Sequence, residues 1–201
     1  MARYTGPITK KSRRLKVDLV GGDKNFDLRP FPPGQHGRRR TKIQAYGIQL
    51  REKQKVKRMY GVLERQFRTY FATAARRKGI TGSNLLQLLE LRLDNVVYRL
   101  GFASSRSMAR QLIAHGHILV NGRKLDIPSA ITREGSVITL REKSRTTEDI
   151  RICLDTAQGR GMPAWLELDP ENFRGVVKQQ PTREDITMPI QEQLIVELYS
   201  K

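Results

Sequence analysis

The chain has 201 residues and is 38% hydrophobic, enough to bury a modest core in one ordinary domain or two small ones. No window approaches the roughly 20 apolar residues of a membrane span, and the N-terminus lacks the apolar core of a signal peptide, so a cytoplasmic protein with no membrane partner is expected. Lys and Arg number 38 against 20 Asp and Glu, a formal charge of +18 with a pI near 10.6, which implies a polyanionic partner.

The single cysteine, Cys153, excludes an intramolecular disulfide and a Cys-cluster metal site, and is expected as a reduced, buried thiol. Residues 1–45 read as a basic arm. Gly and Pro recur there, with GG at 21–22 and PFPPG at 30–34, and no apolar period is sustained. Such a segment buries too little surface to offset its ordering entropy, so an extended arm that orders against its partner is expected. Residues 1–80 hold 22 basic and 5 acidic side chains, against 16 and 15 in residues 81–201, so the excess charge lies almost wholly in the first part. Arg13 and Arg14 belong to this arm, as does the run HGRRRTK with Arg38, Arg39, Arg40 and Lys42.

From Gly47 to Lys78 the pattern turns helical, with Met59, Leu63, Phe67, Tyr70 and Phe71 on an apolar stripe expected in the core. Lys53, Lys57, Arg58 and Arg65 supply much of the other surface. Gly79 ends the run, and Thr81 or Ser83 can cap a helix through LLQLLEL. A helical lobe is expected over 46–90, with 155–201 returning to it.

A separate module is expected over 91–154, where the sequence runs RLDNVVYRLGFASSRSMARQLIAHGHILVNGRKL from Arg92. At 100° per residue Leu93, Val96, Val97 and Leu100 form a stripe, with Arg92, Asn95 and Arg99 beside it. Gly101 stops that helix. Ser104 or Ser105 can cap a second one, which carries Arg106 and Arg110 next to its apolar face. HILV-NG-RKL reads as a hairpin whose Asn121-Gly122 pair suits a type I′ turn, and VITLR at 137–141 as a further strand. The candidate grip on the polyanion is Arg92, Arg99, Arg106, Arg110, Arg123 and Lys124, because a planar guanidinium can hold two phosphate oxygens or stack on an unpaired base. Asn95, Ser105, His115 and Asn121 can add hydrogen bonds, although Ser105 and Asn121 equally suit a cap and a turn. Asp94, near a helix start, can interact with the dipole and orient Arg92 or Arg99.

Other patterns carry less. His115 and His117 invite a metal reading, but no third ligand is apparent, so neither metal nor cofactor is expected. GRGMPA at 159–164 fits G-x-G-x-x-A formally; Pro163 and the lack of a strand-turn-helix context make it a chance match. Glu184-Asp185 and Asp169-x-Glu171 sit in loop-like sequence and suit solubility or a protein contact better than acid/base chemistry. IQEQLIVELYSK near the end, opened by Pro189, reads as a helix.

The stretch from Arg92 to Leu125 resembles the S-four type RNA-binding module. MARYTGP, PPGQHGRRR, LREKQKVKRMYGVLERQFR and EQLIVELYSK resemble the bacterial small-subunit ribosomal protein S-four family, so the likeness runs end to end. It implies an α+β fold: a helical lobe, a small RNA-binding module of two short helices and an antiparallel hairpin or sheet, and a basic extended N-terminal arm. It further implies a monomer within the small ribosomal subunit that binds the 5′ domain of 16S rRNA, nucleates assembly, neighbours ribosomal protein S-five and affects decoding accuracy. Arg38, Arg39, Arg40 and Lys42 would then lie where messenger RNA enters. Arg13, Arg14, Lys53, Lys57, Arg58 and Arg65 become candidate RNA contacts, and Tyr46 or Tyr60 can face RNA. Some relatives bind zinc through an N-terminal cysteine cluster; this chain has no cysteine there, so that property does not carry over.

Two other readings of the residues are weaker. An RNA-modifying enzyme can use the same module as a grip, but the remaining segments offer no catalytic constellation, so no enzymatic activity is expected. A DNA-binding regulator would need a helix-turn-helix, and the hairpin directly after the Arg106 helix argues against it, so no DNA partner is expected.

Overall fold

The computed structural model describes residues 4, 6–19, 21–39, 42–159 and 161–200. It falls into two compact units, Met1–Gly82 with Met188–Lys201, and Ser83–Thr187.

The first unit opens with α1 (Ile8–Leu15) and α2 (Lys24–Leu28). The arm is thus less extended than its composition suggests, and side-chain hydrogen bonds account for this. The Asp23 carboxylate accepts from the amides of Asn25 and Phe26 at the start of α2 and takes the Thr9 hydroxyl of α1 at 2.6 Å. Buried Ser12 accepts from the amide of Leu19, which folds the chain back after α1. Next come α3 (Ala45–Met59) and α4 (Glu64–Arg76). The helical pattern over 47–78 is therefore two helices. Gly61 breaks it by taking φ +60°, a region costly to a residue with Cβ, and the amide of Val62 closes the end of α3 on the carbonyl of Lys57. Val56, Met59, Val62, Phe67 and Ala74 are buried, and Tyr70 and Phe71 half-buried. Leu63, expected in the core, is instead exposed at the break, and Tyr60, expected as able to face RNA, is buried.

The second unit follows α5 (Thr81–Glu90) with α6 (Leu93–Arg99), α7 (Arg106–Ala114), β1 (Ile118–Val120), β2 (Arg123–Lys124) and β3 (Val137–Leu140). After these come α8 (Glu142–Arg145), α9 (Glu148–Gln158), β4 (Leu166–Asp169) and β5 (Arg174–Val177). The strands form one antiparallel sheet in the order β2-β1-β3-β5-β4. Its core joins Val96, Val97 and Leu100 of the α6 segment to Ala109, Ile113, Ile118, Ile138, Leu140, Leu154 and Trp165. Burial of each large aliphatic side chain contributes about 1.5–3 kcal/mol. The expected hairpin is present: Val120 pairs with Arg123, and Asn121 and Gly122 both take positive φ, as a type I′ turn requires. Cys153 is buried.

One boundary is corrected. The segment 155–201 does not return to the helical lobe as a whole, because β4 and β5 extend the sheet beyond β3 and keep 155–187 in the second unit. Only α10 (Glu192–Tyr199) packs back, onto α3. The helix α5, expected in the lobe, also lies in the second unit from Ser83 onward. No described helix is long and apolar enough to cross a membrane.

Candidate nucleic-acid interface

Leu91 to Asp94 is pinned before any arginine is placed. The amide of Leu93 donates to the carbonyl of Ala130, that of Asp94 to Pro128, and that of Thr132 to Leu91. This fixes the start of α6 with Asp94 in its first turn and puts two carboxylates, Glu90 and Asp94, inside the fold at 1% exposure each. A buried carboxylate must be matched by cations or donors, and both recruit arginines. Arg92 grips Asp94 through Nε at 3.0 Å and Nη2 at 2.7 Å, and Arg110 of α7 reaches the same carboxylate through Nε at 2.7 Å. Arg99 holds both oxygens of Glu90, at 3.2 and 2.9 Å. Asn95 donates to a Glu90 oxygen at 2.6 Å and accepts from Arg106 Nε at 2.8 Å, while the Arg106 guanidinium lies 4.7 Å from the Tyr98 ring centre.

Four arginines thus gather around two carboxylates, leaving a net positive array. Its members differ in access. Arg99, Arg106 and Arg110 are partly exposed, whereas Arg92 is 1% exposed and Asn95 fully buried. The expectation that Arg92 and Asn95 touch RNA is therefore corrected: burial makes them supports that hold Asp94, Glu90 and Arg106 in place. Ser105 caps α7, accepting from the amide of Met108 at 3.2 Å. The side-chain oxygen of Asn121 accepts from the amide of Val137 at 2.8 Å and locks the turn, with its residue still exposed. Arg123 and Lys124 on β2 and His115 after α7 are exposed. The His115 and His117 rings lie 6.1 Å apart, and His117 Nδ1 is 2.8 Å from the Ser144 hydroxyl. Among the described residues no three His, Cys, Asp or Glu side chains group to hold a metal.

Two exposed cations that the pattern does not single out, Arg141 and Lys143, stand at the start of α8, where the amide of Arg141 donates to the carbonyl of His117. Their mixed-charge surroundings in REKSR hide them in sequence; only the path of β1 beside β3 brings them to the His117 end of the sheet.

In the first unit the expected cations also divide. Lys53 and Lys57 both bind Glu64, at 2.6 and 2.7 Å, and Tyr199 donates to the same carboxylate at 3.1 Å. Burial alone would push the Glu64 carboxyl up, but the two lysines outweigh it and hold the group at about 2. Burial, together with the Glu64 charge, raises the Tyr199 phenol. Lys53 and Lys57, expected as RNA contacts, are thus held in ion pairs with Glu64. Arg13 is half-buried, donating to the carbonyl of Phe31 at 3.0 Å, and its guanidinium and that of Arg38 flank the Phe31 ring. Arg14, Arg38, Arg39, Lys42 and Arg65 are exposed and Arg58 is half-buried; Arg40 lies outside the described residues. Tyr46 is exposed.

Comparison with known proteins matches residues 3–90 to the Ribosomal protein S4/S9 N-terminal domain and residues 91–138 to the S4 domain. The Small ribosomal subunit protein uS4 of Pelobacter propionicus is 61% identical over the whole of both chains. The chain belongs to the uS4 family. The uS4 proteins of Saccharopolyspora erythraea and Nocardia farcinica are 59% and 57% identical, again across the full length of each. The S4 domain match covers α6, α7 and the hairpin, so Arg92, Arg99, Arg106 and Arg110 all lie within that domain.

Proposed function

We propose that this uS4 family member is a structural constituent of the small ribosomal subunit, acting in the cytoplasm as a primary binder of the 5′ domain of 16S rRNA and not as an enzyme. The observation that carries the reading is the array of Arg99, Arg106 and Arg110, held by the buried carboxylates Glu90 and Asp94 directly or through Asn95, in the same domain as the exposed Arg123 and Lys124. Guanidinium groups fixed before binding lose less freedom on meeting phosphates, and a rigid set can distinguish the shape of a folded RNA junction from plain negative charge. Release of counterions from the phosphates supplies much of the affinity. The names of the relatives, all small ribosomal subunit proteins, support the same reading. Within it, early binding nucleates subunit assembly, Arg38, Arg39 and Lys42 face incoming messenger RNA, and contact with ribosomal protein S-five bears on decoding accuracy. The chain acts as a monomer in the ribosome.

The test is a salt titration of binding to a folded 16S rRNA 5′-domain fragment, with unrelated structured RNA and duplex DNA as competitors. Affinity should fall by roughly 10³–10⁵ between about 50 and 200 mM salt if six to ten phosphates are contacted. Arg123→Gln with Lys124→Gln should weaken binding and make the salt slope shallower by about two. Equal binding of all three polyanions would remove the claim of rRNA selectivity.

A further inference from the structure

Of the five asparagines in the chain, Asn25, Asn84, Asn95, Asn121 and Asn172, only Asn121 precedes a glycine. That neighbour decides what the side chain can undergo. The amide nitrogen after an asparagine, once it loses its proton, can attack the side-chain carbonyl; a Cβ on the following residue obstructs the approach, and glycine has none. Asn121 and Gly122 are both exposed, and apart from its chain neighbours nothing lies within 4 Å of the place a Gly122 Cβ would occupy. The exposed cations that follow, Arg123 and Lys124, favour the anionic nitrogen and the oxyanion formed on attack, as an opposite charge favours any ionised form.

What opposes the reaction is the fold. The backbone amide of Asn121 donates to the Val137 carbonyl at 2.8 Å, and its side-chain oxygen accepts from the Val137 amide at 2.8 Å. Ring closure needs the side chain and the following peptide to rotate toward each other, and this pair of bonds holds both. The clamp adjoins a weak element: β2 is two exposed residues at the edge of the sheet, paired on one side only. Segments of that kind open at a lower free-energy cost than the core.

We infer that Asn121 is a covalent modification site, guarded by Val137 in the folded hairpin and converted to aspartate and isoaspartate when the hairpin opens. The Gly122 nitrogen, its proton passed to water or hydroxide, bonds to Cγ of Asn121; the Cγ–Nδ2 bond breaks, and ammonia leaves with a proton taken from water. Water then opens the five-membered imide. Addition at Cγ gives aspartate, and addition at the main-chain carbonyl gives isoaspartate, with no change of oxidation state. Aspartate still offers an oxygen to the Val137 amide and sets a negative charge beside Arg123 and Lys124. Isoaspartate adds an atom to the main chain between the two residues of positive φ, which displaces the pairing of Val120 with Arg123. The effect on rRNA rests on the function proposed above; the chemistry at Asn121 does not.

The full chain is incubated folded, and unfolded in guanidinium chloride, and the asparagines are followed by peptide mass spectrometry with chromatography to separate the isomers. Unfolded, Asn121 should convert before the other four, and at least about tenfold faster than in the folded chain, the factor that ~1.4 kcal/mol of protection supplies. Gly122→Ala, compared in the unfolded chain where its backbone strain is immaterial, should slow the conversion. Conversion of Asn121 no faster than that of the other four, or unaffected by Gly122→Ala, refutes the site; an equal rate in folded and unfolded chains refutes the guard. In a second arm Asn121→Asp, checked for native circular dichroism, reproduces the added charge without the longer main chain; it should bind the rRNA 5′ domain more weakly, with a KCl slope shallower by about one. An unchanged slope removes the consequence for rRNA. Should the unmodified chain itself bind rRNA without salt dependence, the proposed function falls, and the mass spectra still decide the site.

Discussion

A guanidinium with 1% of its surface exposed cannot reach a phosphate without leaving its carboxylate, and Arg92 is held in that way by Asp94. Asp94 is the more consequential partner, because it also fixes Arg110. Asp94→Ala would leave Arg92 buried without that counter-charge, and breaking a buried pair in this manner costs about 3–5 kcal/mol. The expected outcome is a loss of that size in urea unfolding, together with weaker rRNA binding; an unchanged midpoint would show that Arg92 finds solvent or another acceptor. Helical spacing places Arg92, Asn95 and Arg99 correctly along one stripe. It does not reveal which of them face water, since that depends on Glu90, supplied by the preceding helix, and on the chain at 128–132 that covers the start of α6. Ser105 and Asn121 are more legible, because a cap and a turn are local and each residue makes the bond its type suggests. Lys53 and Lys57 are readable as cations and not as ion pairs, because the approach of Glu64 depends on the break at Gly61.

At the scale of elements, α7 and the sheet each carry a test. Ser105→Ala removes the cap of α7 and should cost about 0.5–2 kcal/mol. Ser105→Asp should retain the stability, because aspartate also caps, yet weaken rRNA binding by placing a negative charge beside Arg106; thermal melts and an affinity titration separate the two effects. Gly175 of β5 lies where Leu100 packs on the sheet, so that a Cβ there would collide with the Leu100 side chain. Gly175→Ala should destabilise the second unit by about 1–3 kcal/mol through overpacking, read from the unfolding midpoint. A neutral effect would mean that β5 is not held against the end of α6. Such strands are hard to see in sequence. LELD and RGVV are four residues each, too short for an alternation to stand out, and pairing across β3 is a long-range choice. The helix α9 is more legible: Ile150, Cys153 and Leu154 fall on one buried face, but a boundary drawn at 154 cuts through it. The Asn121-Gly122 hairpin is readable because its signal is local, two residues that both accept positive φ.

For the whole molecule, acid is the informative perturbant. Glu64 is held at about 2 against an ordinary value of 4.5, so the folded state binds its proton less readily than the unfolded chain. Its contribution to stability is complete above about 4.5 and is lost as the pH falls toward about 2. Denaturant midpoints measured by circular dichroism at constant ionic strength should decline across that interval, and Glu64→Gln should make the decline smaller. The same cluster ties the last helix to the earlier ones. Glu64 accepts from Tyr199, whose ring stacks on Phe71 at 4.5 Å, and Gln49 of α3 donates to Glu197. During synthesis, therefore, the first unit to emerge is the last to be completed: α3 and α4 wait for α10 while Ser83–Thr187 already has all of its strands and helices. A nascent chain of this protein thus contains every strand of its five-stranded sheet before the basic helices that precede them have their closing partner.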